Sequence, residues 1–135
     1  DIFLPEKKLL CEKKYIKLDC IVNGQCLSFM QPSDIYSLFG NALDNALECV
    51  QEEKEGERFI SLHLTRRGEM AIVHVENRCS RAVEFQDGLP VTHKKDKTRH
   101  GFGVRSIVYI AEKYDGYVNR KNEPGVFATE VMFPL

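Results

Sequence analysis

The sequence predicts an α/β two-layer sandwich of the α+β kind: a mixed, mostly antiparallel sheet of about five strands covered on one face by about three helices. Three observations carry this. A long amphipathic stretch follows Pro32, two pairs of β-rich runs each close on a glycine-containing turn, and a second stretch of helical period separates the pairs. No repeat, low-complexity tract or linker interrupts the 135 residues, so residues 1–135 are expected to form a single domain.

Residues 3–14 are charged and partly apolar, as expected for the tail of a longer helix. Tyr15 to Val22 alternates, with Ile16, Leu18 and Cys20 on one side and Lys17 and Asp19 on the other, which predicts a strand. Asn23-Gly24 is a turn signal, and Cys26 to Met30 is expected to add a short paired strand. Pro32-Ser33 opens the main helix, with Ser33 or Asp34 placed to cap it. Its end falls in the charged run Gln51 to Glu55, stopped by Gly56.

Phe59 to Thr65 and Met70 to Val75 predict a hairpin around Arg66-Arg67-Gly68-Glu69. After Glu76 the apolar periodicity vanishes for about 25 residues and returns in Val104 to Tyr114, a helix with Val104, Ile107, Val108 and Ala111 inward. Gly116 to Arg120, the turn Asn122-Glu123-Pro124-Gly125 and Val126 to Phe133 form the second hairpin.

Composition narrows the function classes. Apolar content of 43% and charged content of 29% fit a soluble globular protein, and a net charge of −1 disfavours a nucleic-acid or membrane-surface binder. No apolar run approaches the ~18 residues of a bilayer span, and no signal peptide opens the chain. Five cysteines without a C-x-x-C pair suggest reduced cytosolic thiols. The chain opens on Asp1 rather than Met, so it is expected to be part of something longer.

The main helix carries the chemistry. Ile35, Leu38, Phe39, Ala42, Leu43, Ala46 and Val50 fill one apolar arc. Asn41, Asp44, Asn45 and Glu48 fall together on the opposite side, at i, i+3, i+4 and i+7. Rigidly held oxygen donors of this kind suit a hard cation such as Mg²⁺ that also carries phosphates. Alone, the pattern is better read as the wet face of an amphipathic helix, and what lies downstream reverses that.

Residues 79–100 supply the second half. So long a segment without secondary structure inside a compact domain is uncommon and often functional. Its last third, Thr92 to His100, holds Lys94, Lys95, Lys97 and Arg99 against one aspartate, and it feeds into Gly101-Phe102-Gly103 and a helix start. Glycines there admit close backbone approach to an anion, and a helix start offers N–H groups and a positive dipole end.

With these residues in view, the chain resembles the ATP-binding domain of the GHKL (Bergerat-fold) superfamily. Leu38 to Glu48 is similar to the N box and His100-Gly101-Phe102-Gly103-Val104 to the G2 box. Asp87 to Lys97 is similar to the lid of agr-type peptide-pheromone sensor histidine kinases, and the resemblance makes residues 1–14 the tail of a dimerisation helix. It implies an ATP-dependent histidine kinase catalytic domain, on the cytoplasmic side of a membrane-anchored, homodimeric quorum-sensing protein. Its partners would be ATP, Mg²⁺, an acceptor-histidine domain of the same protein and a response regulator, with no nucleic acid.

Residue by residue, the resemblance implies that Asn45 holds Mg²⁺ and Asn41 faces the phosphates, with Asp44 and Glu48 beside them. Lys94, Lys95, Lys97, Arg99 and His100 are the candidate lid contacts, and Gly101, Phe102, Gly103 and Val104 shape the phosphate corner. Where hydrolysing members carry glutamate, Asn41 cannot accept a proton, which suits transfer to a protein acceptor. Asn77 stands where the family usually places the adenine-reading aspartate, and the glycines that normally follow are replaced by Arg78-Cys79-Ser80. His63 and His74 are expected to be ordinary sheet residues. His93, His100 and Cys79 lack a recognisable metal-ligand spacing. A degenerate GHKL domain serving only as a protein-interaction module is the alternative, with an anti-sigma-factor type serine kinase ranked below it.

Overall fold

In the computed structural model the described residues are 4–80, 85–86, 89–90 and 97–135, with backbone alone for 4, 85–86, 89–90 and 97–102. In chain order these are α1 (Leu4–Lys13), β1 (Lys17–Val22), a 3₁₀ turn (Gly24–Leu27), α2 (Pro32–Val50), a second 3₁₀ turn (Glu55–Glu57), β2 (Phe59–Arg67) and β3 (Met70–Cys79). A small pair, β4 (Phe85–Gln86) and β5 (Leu89–Pro90), precedes α3 (Lys97–Lys113), β6 (Tyr117–Glu123) and β7 (Gly125–Pro134). The expected two-layer α/β class holds. The main sheet has the order β1-β2-β3-β7-β6 and is antiparallel except for the parallel β1–β2 pair. That parallel pair depends on α2, which supplies the long crossover that parallel neighbours need.

Turn chemistry fixes the hairpin registers. Arg67 pairs with Met70 across Gly68-Glu69, and Gly68 sits at φ +61°, the first position of a primed turn. Glu123 pairs with Val126 across Pro124-Gly125, with Gly125 at φ +83°, the proline-then-glycine signature of a type II turn. In these registers Ile60, Leu62, Leu64, Val73, Val75, Val131 and Phe133 point to one face. They pack beneath Leu38, Leu43, Val50, Ile107 and Ala111 of α2 and α3 to form the core. His63 and His74 lie opposite one another on the other face, with carboxylate partners: Asp19 for His63, and Glu76 and Glu130 for His74.

Several expected elements are corrected. Gly24–Leu27 coils into a 3₁₀ turn in place of the paired strand, because Cys26 and Leu27 turn into the core while the N–H of Cys26 bonds the Asn23 carbonyl. Neither Ser33 nor Asp34 caps α2: Gln31 is the N-cap without a side-chain bond, and Pro32 takes the first helical position. α2 stops at Val50, short of the charged run, where Arg58 donates to the run's Gln51 O and Glu53 O and also to Lys14 O after α1. β2 and β3 extend past their apolar runs to Arg67 and Cys79: Arg66 and Arg67 pair with Ala71 and Met70, while Arg78 and Cys79 pair with Val126 and Gly125 of β7. α3 begins at Lys97, not Val104, which places Gly101-Phe102-Gly103 inside the helix. Lysine, threonine, arginine and histidine at its start tolerate helix without supplying apolar period, so hydropathy alone does not show this turn.

α1 and α3 end alike. Tyr15 and Asp115 take positive φ, and the next residue's N–H reaches back to the carbonyl of Cys11 (2.8 Å) or Ala111 (2.7 Å), as in a Schellman cap. After α3 the chain turns hard against β7. A Cβ on Gly116 would lie 2.3 Å from the Met132 carbonyl, so only glycine fits.

Candidate functional site

The site is built on the polar face of α2. Its helix buries Leu38, Phe39, Ala42, Leu43, Ala46, Leu47 and Val50, which fixes its rotation and leaves Asn41, Asp44, Asn45 and Glu48 above the core. These four line a cavity of about 630 Å³ with Leu10 and Lys14 near the C-terminal end of α1, Leu47 and Gln51, and Gly103 and Ser106 of α3. Leu10, Lys14, Gln51 and Ser106 carry no motif, and only the approach of α1 and α3 to α2 marks them.

Both carboxamide oxygens aim at Gly103. A Cβ placed there would stand 3.4 Å from Asn41 Oδ1 and 3.7 Å from Asn45 Oδ1. The Asn41 amide is oriented by Ser37, whose hydroxyl accepts from Nδ2 at 3.2 Å one turn earlier. The missing side chain at Gly103 therefore leaves a methyl-sized gap faced by two hard oxygen donors. Asp44 is half engaged: its carboxylate, 59% exposed, accepts from Lys7 Nζ at 2.9 Å.

A polar tie sets the helix register. Tyr114 at the end of α3 donates its hydroxyl to Asp34 in the first turn of α2, and Lys113 Nζ lies 3.0 Å from the same oxygen. Hydrogen bonding from Tyr114 and then from Lys113 holds the Asp34 carboxyl below its ordinary pKa. The same carboxylate raises Lys113. Asn45 stands eleven positions after Asp34, and Tyr114 eleven positions after Gly103. At ~1.5 Å per residue, each helix runs about 16 Å from tie to site, so two antiparallel helices joined at one end meet at the asparagines at the other.

Asn77 lies elsewhere. It is 2% exposed on the inward face of β3, in register with Ile60 and Phe127, and is not among the residues lining the 630 Å³ cavity. Its Nδ2 donates to the Arg78 carbonyl at 2.9 Å, which commits the nitrogen and leaves the oxygen as the acceptor end. Past it, Glu53 anchors the strand end. This carboxylate, 7% exposed, accepts from Ser80 N at 3.1 Å and from Ser80 Oγ at 3.2 Å. In the sequence Glu53 stands in the charged run Gln51 to Glu55, and only the fold turns it inward. Val104 is buried on α3 itself.

Lys94 and Lys95 lie outside the described residues, as does His93. Lys97, Arg99, His100, Gly101 and Phe102 are helical, described by their backbone alone. Among the described residues no group of three or more His, Cys, Asp and Glu side chains is arranged to hold a metal ion. No described helix is long and apolar enough to cross a membrane.

The GHKL domain family matches residues 30–134, and the chain belongs to that family. Solved structures agree in fold. The catalytic domain of histidine kinase ThkA superposes with a TM-score of 0.70 at 14% identity, covering 98% of this chain and 87% of that one. Acinetobacter baumannii histidine kinase AdeS gives 0.65 at 10% identity over 97% of this chain and 60% of its own length. The cytoplasmic segment of histidine kinase QseC gives 0.63 at 16%, covering 96% and 68%. The chain thus spans well under the full length of the AdeS structure. A search of curated proteins gives no match. The fold is that of histidine kinase catalytic domains.

Proposed function

We propose that this domain binds Mg–ATP and presents its γ-phosphate to a histidine on another domain, as the catalytic part of a sensor histidine kinase of the agr type. One observation carries the reading: two asparagine oxygens on consecutive turns of α2 converge on a helical glycine, leaving a gap that a methyl would occupy. Hard oxygen donors around such a gap fit Mg²⁺. Asn45 Oδ1 would hold the ion, whose charge neutralises the transferring phosphoryl group.

The protein's own contribution is positioning. Ser37 fixes the Asn41 amide, and the Asp34–Tyr114 tie holds Gly103 opposite both asparagines. Asn41 is an amide and activates no water, so bound ATP is kept for a protein acceptor rather than spent in hydrolysis. Lys94, Lys95, Lys97, Arg99 and His100 are proposed as lid contacts to the phosphates, and Asn77 as the acceptor for the adenine amino group. Full-length, the protein would be membrane-anchored and homodimeric and would pass the phosphoryl group to a response regulator.

Titration calorimetry with a non-hydrolysable ATP analogue tests this. Saturable, Mg²⁺-dependent binding in the micromolar-to-millimolar range is expected, and no heat with or without Mg²⁺ would remove the reading. Asn45→Ala should abolish the Mg²⁺ dependence. A nucleotide-free interaction module would ignore that substitution.

A further inference from the structure

α1 presents a second charged face to the cavity. Lys7, Leu10, Cys11 and Lys14 recur at i, i+3, i+4 and i+7, and all four are buried or half-buried. Cys11, 2% exposed, seats the helix on the core, while Lys7 and Lys14 flank that contact. Lys7 reaches the Asp44 carboxylate, and Lys14 lines the cavity beside Asn45 and Glu48.

The backbone at Lys14 is bolted in place. Arg58 Nη1 donates to the Lys14 carbonyl at 2.8 Å while Nη2 of the same guanidinium donates to Gln51 O at 2.9 Å. One planar group thereby joins the end of α1 to the end of α2, the helix that carries the asparagines. Among the described residues, no carboxylate stands within ion-pair distance of the Lys14 ammonium. Lys14, half-buried and with its backbone fixed, lines the same cavity as Asn41, Asp44, Asn45 and Glu48, and among the described residues no ion pair takes up its charge.

Building on the Mg–ATP reading, we propose that Lys14 is a nucleotide-binding residue, its ammonium contacting the polyphosphate from the side opposite α3. The nucleotide would then be gripped from both flanks of α2, and the segment upstream of β1 would belong to the site rather than merely lead to it.

The test compares Lys14→Met, which keeps most of the stem, and Lys14→Arg, which keeps the charge, with the unsubstituted protein. Calorimetric titration of each with Mg²⁺ and AMP-PNP is run at low and high salt. Loss of one charge-assisted contact should weaken Lys14→Met by about five- to tenfold, leave Lys14→Arg within about twofold, and flatten the salt dependence in Lys14→Met alone. Thermal unfolding of both variants should match the parent, since the side chain lies at a helix end. Equal affinity in all three proteins overturns the assignment of Lys14 and leaves the Mg–ATP reading standing. Equal weakening in both variants also overturns it, because charge is then not what is read. If the unsubstituted protein fails to bind, both readings fall together.

Discussion

Gly103→Ala separates the stability of this domain from its ligand site. Gly103 lies inside α3, where glycine costs roughly 0.5–1 kcal/mol relative to alanine through backbone entropy. The new methyl would meet Asn41 Oδ1 at 3.4 Å and Asn45 Oδ1 at 3.7 Å, ordinary van der Waals distances, so no clash offsets that gain. The variant should unfold at a temperature higher by about 2–5 °C, the shift such a gain produces in a domain of this size. The same methyl fills the gap into which both amides point. Mg²⁺ sits only ~2.1 Å from its oxygen ligands and keeps several waters, so the approach to Asn45 is crowded. Mg–AMP-PNP affinity should therefore fall about tenfold or more, equivalent to at least ~1.4 kcal/mol. Scanning calorimetry and titration calorimetry on one preparation give both numbers. A variant that is more stable yet binds as tightly as the parent would refute the placement of the nucleotide between α2 and α3.

The helix tie and the thiols supply two more expected outcomes. Because the Asp34 pKa is lowered on folding, its stabilising contribution is complete above the unfolded carboxyl value of about 3.9 and is lost as pH falls below it toward the lowered value. Tyr114→Phe removes the largest cause of that shift, so urea unfolding midpoints should drop less steeply than the parent's as pH falls from about 5 to 3. Cys20 is exposed, yet its thiol pKa is raised by burial first and by Asp19 next. Its alkylation by iodoacetamide at pH 8 should be slower than that of a free cysteine, and Asp19→Asn should speed it.

The amphipathic period of α2 was legible because burial of one face is a local, repeating demand that hydropathy records. It fixed which side Asn41 and Asn45 occupy. The second hairpin was equally legible, since Pro124-Gly125 specifies its own backbone angles. The first turn of α3 was not, because Lys97 to His100 satisfy no apolar period and are helical only in continuity with the rest of α3. The inward turn of Glu53 was equally invisible: a carboxylate enters the interior only where the fold brings donors to it, here Ser80, 27 residues away.

The sequence by itself determined the layer class, the face of α2 that stays polar and the membership of the GHKL family, since periodicity and short motifs are properties of neighbouring residues. Tertiary structure alone decided that Gly103 stands opposite two carboxamide oxygens, that Asp34 and Tyr114 set that register, and that Lys14 at the end of α1 faces the same cavity. Contacts between residues tens of positions apart arise only when helices and strands dock, and helix docking is governed by the shape of the shared core.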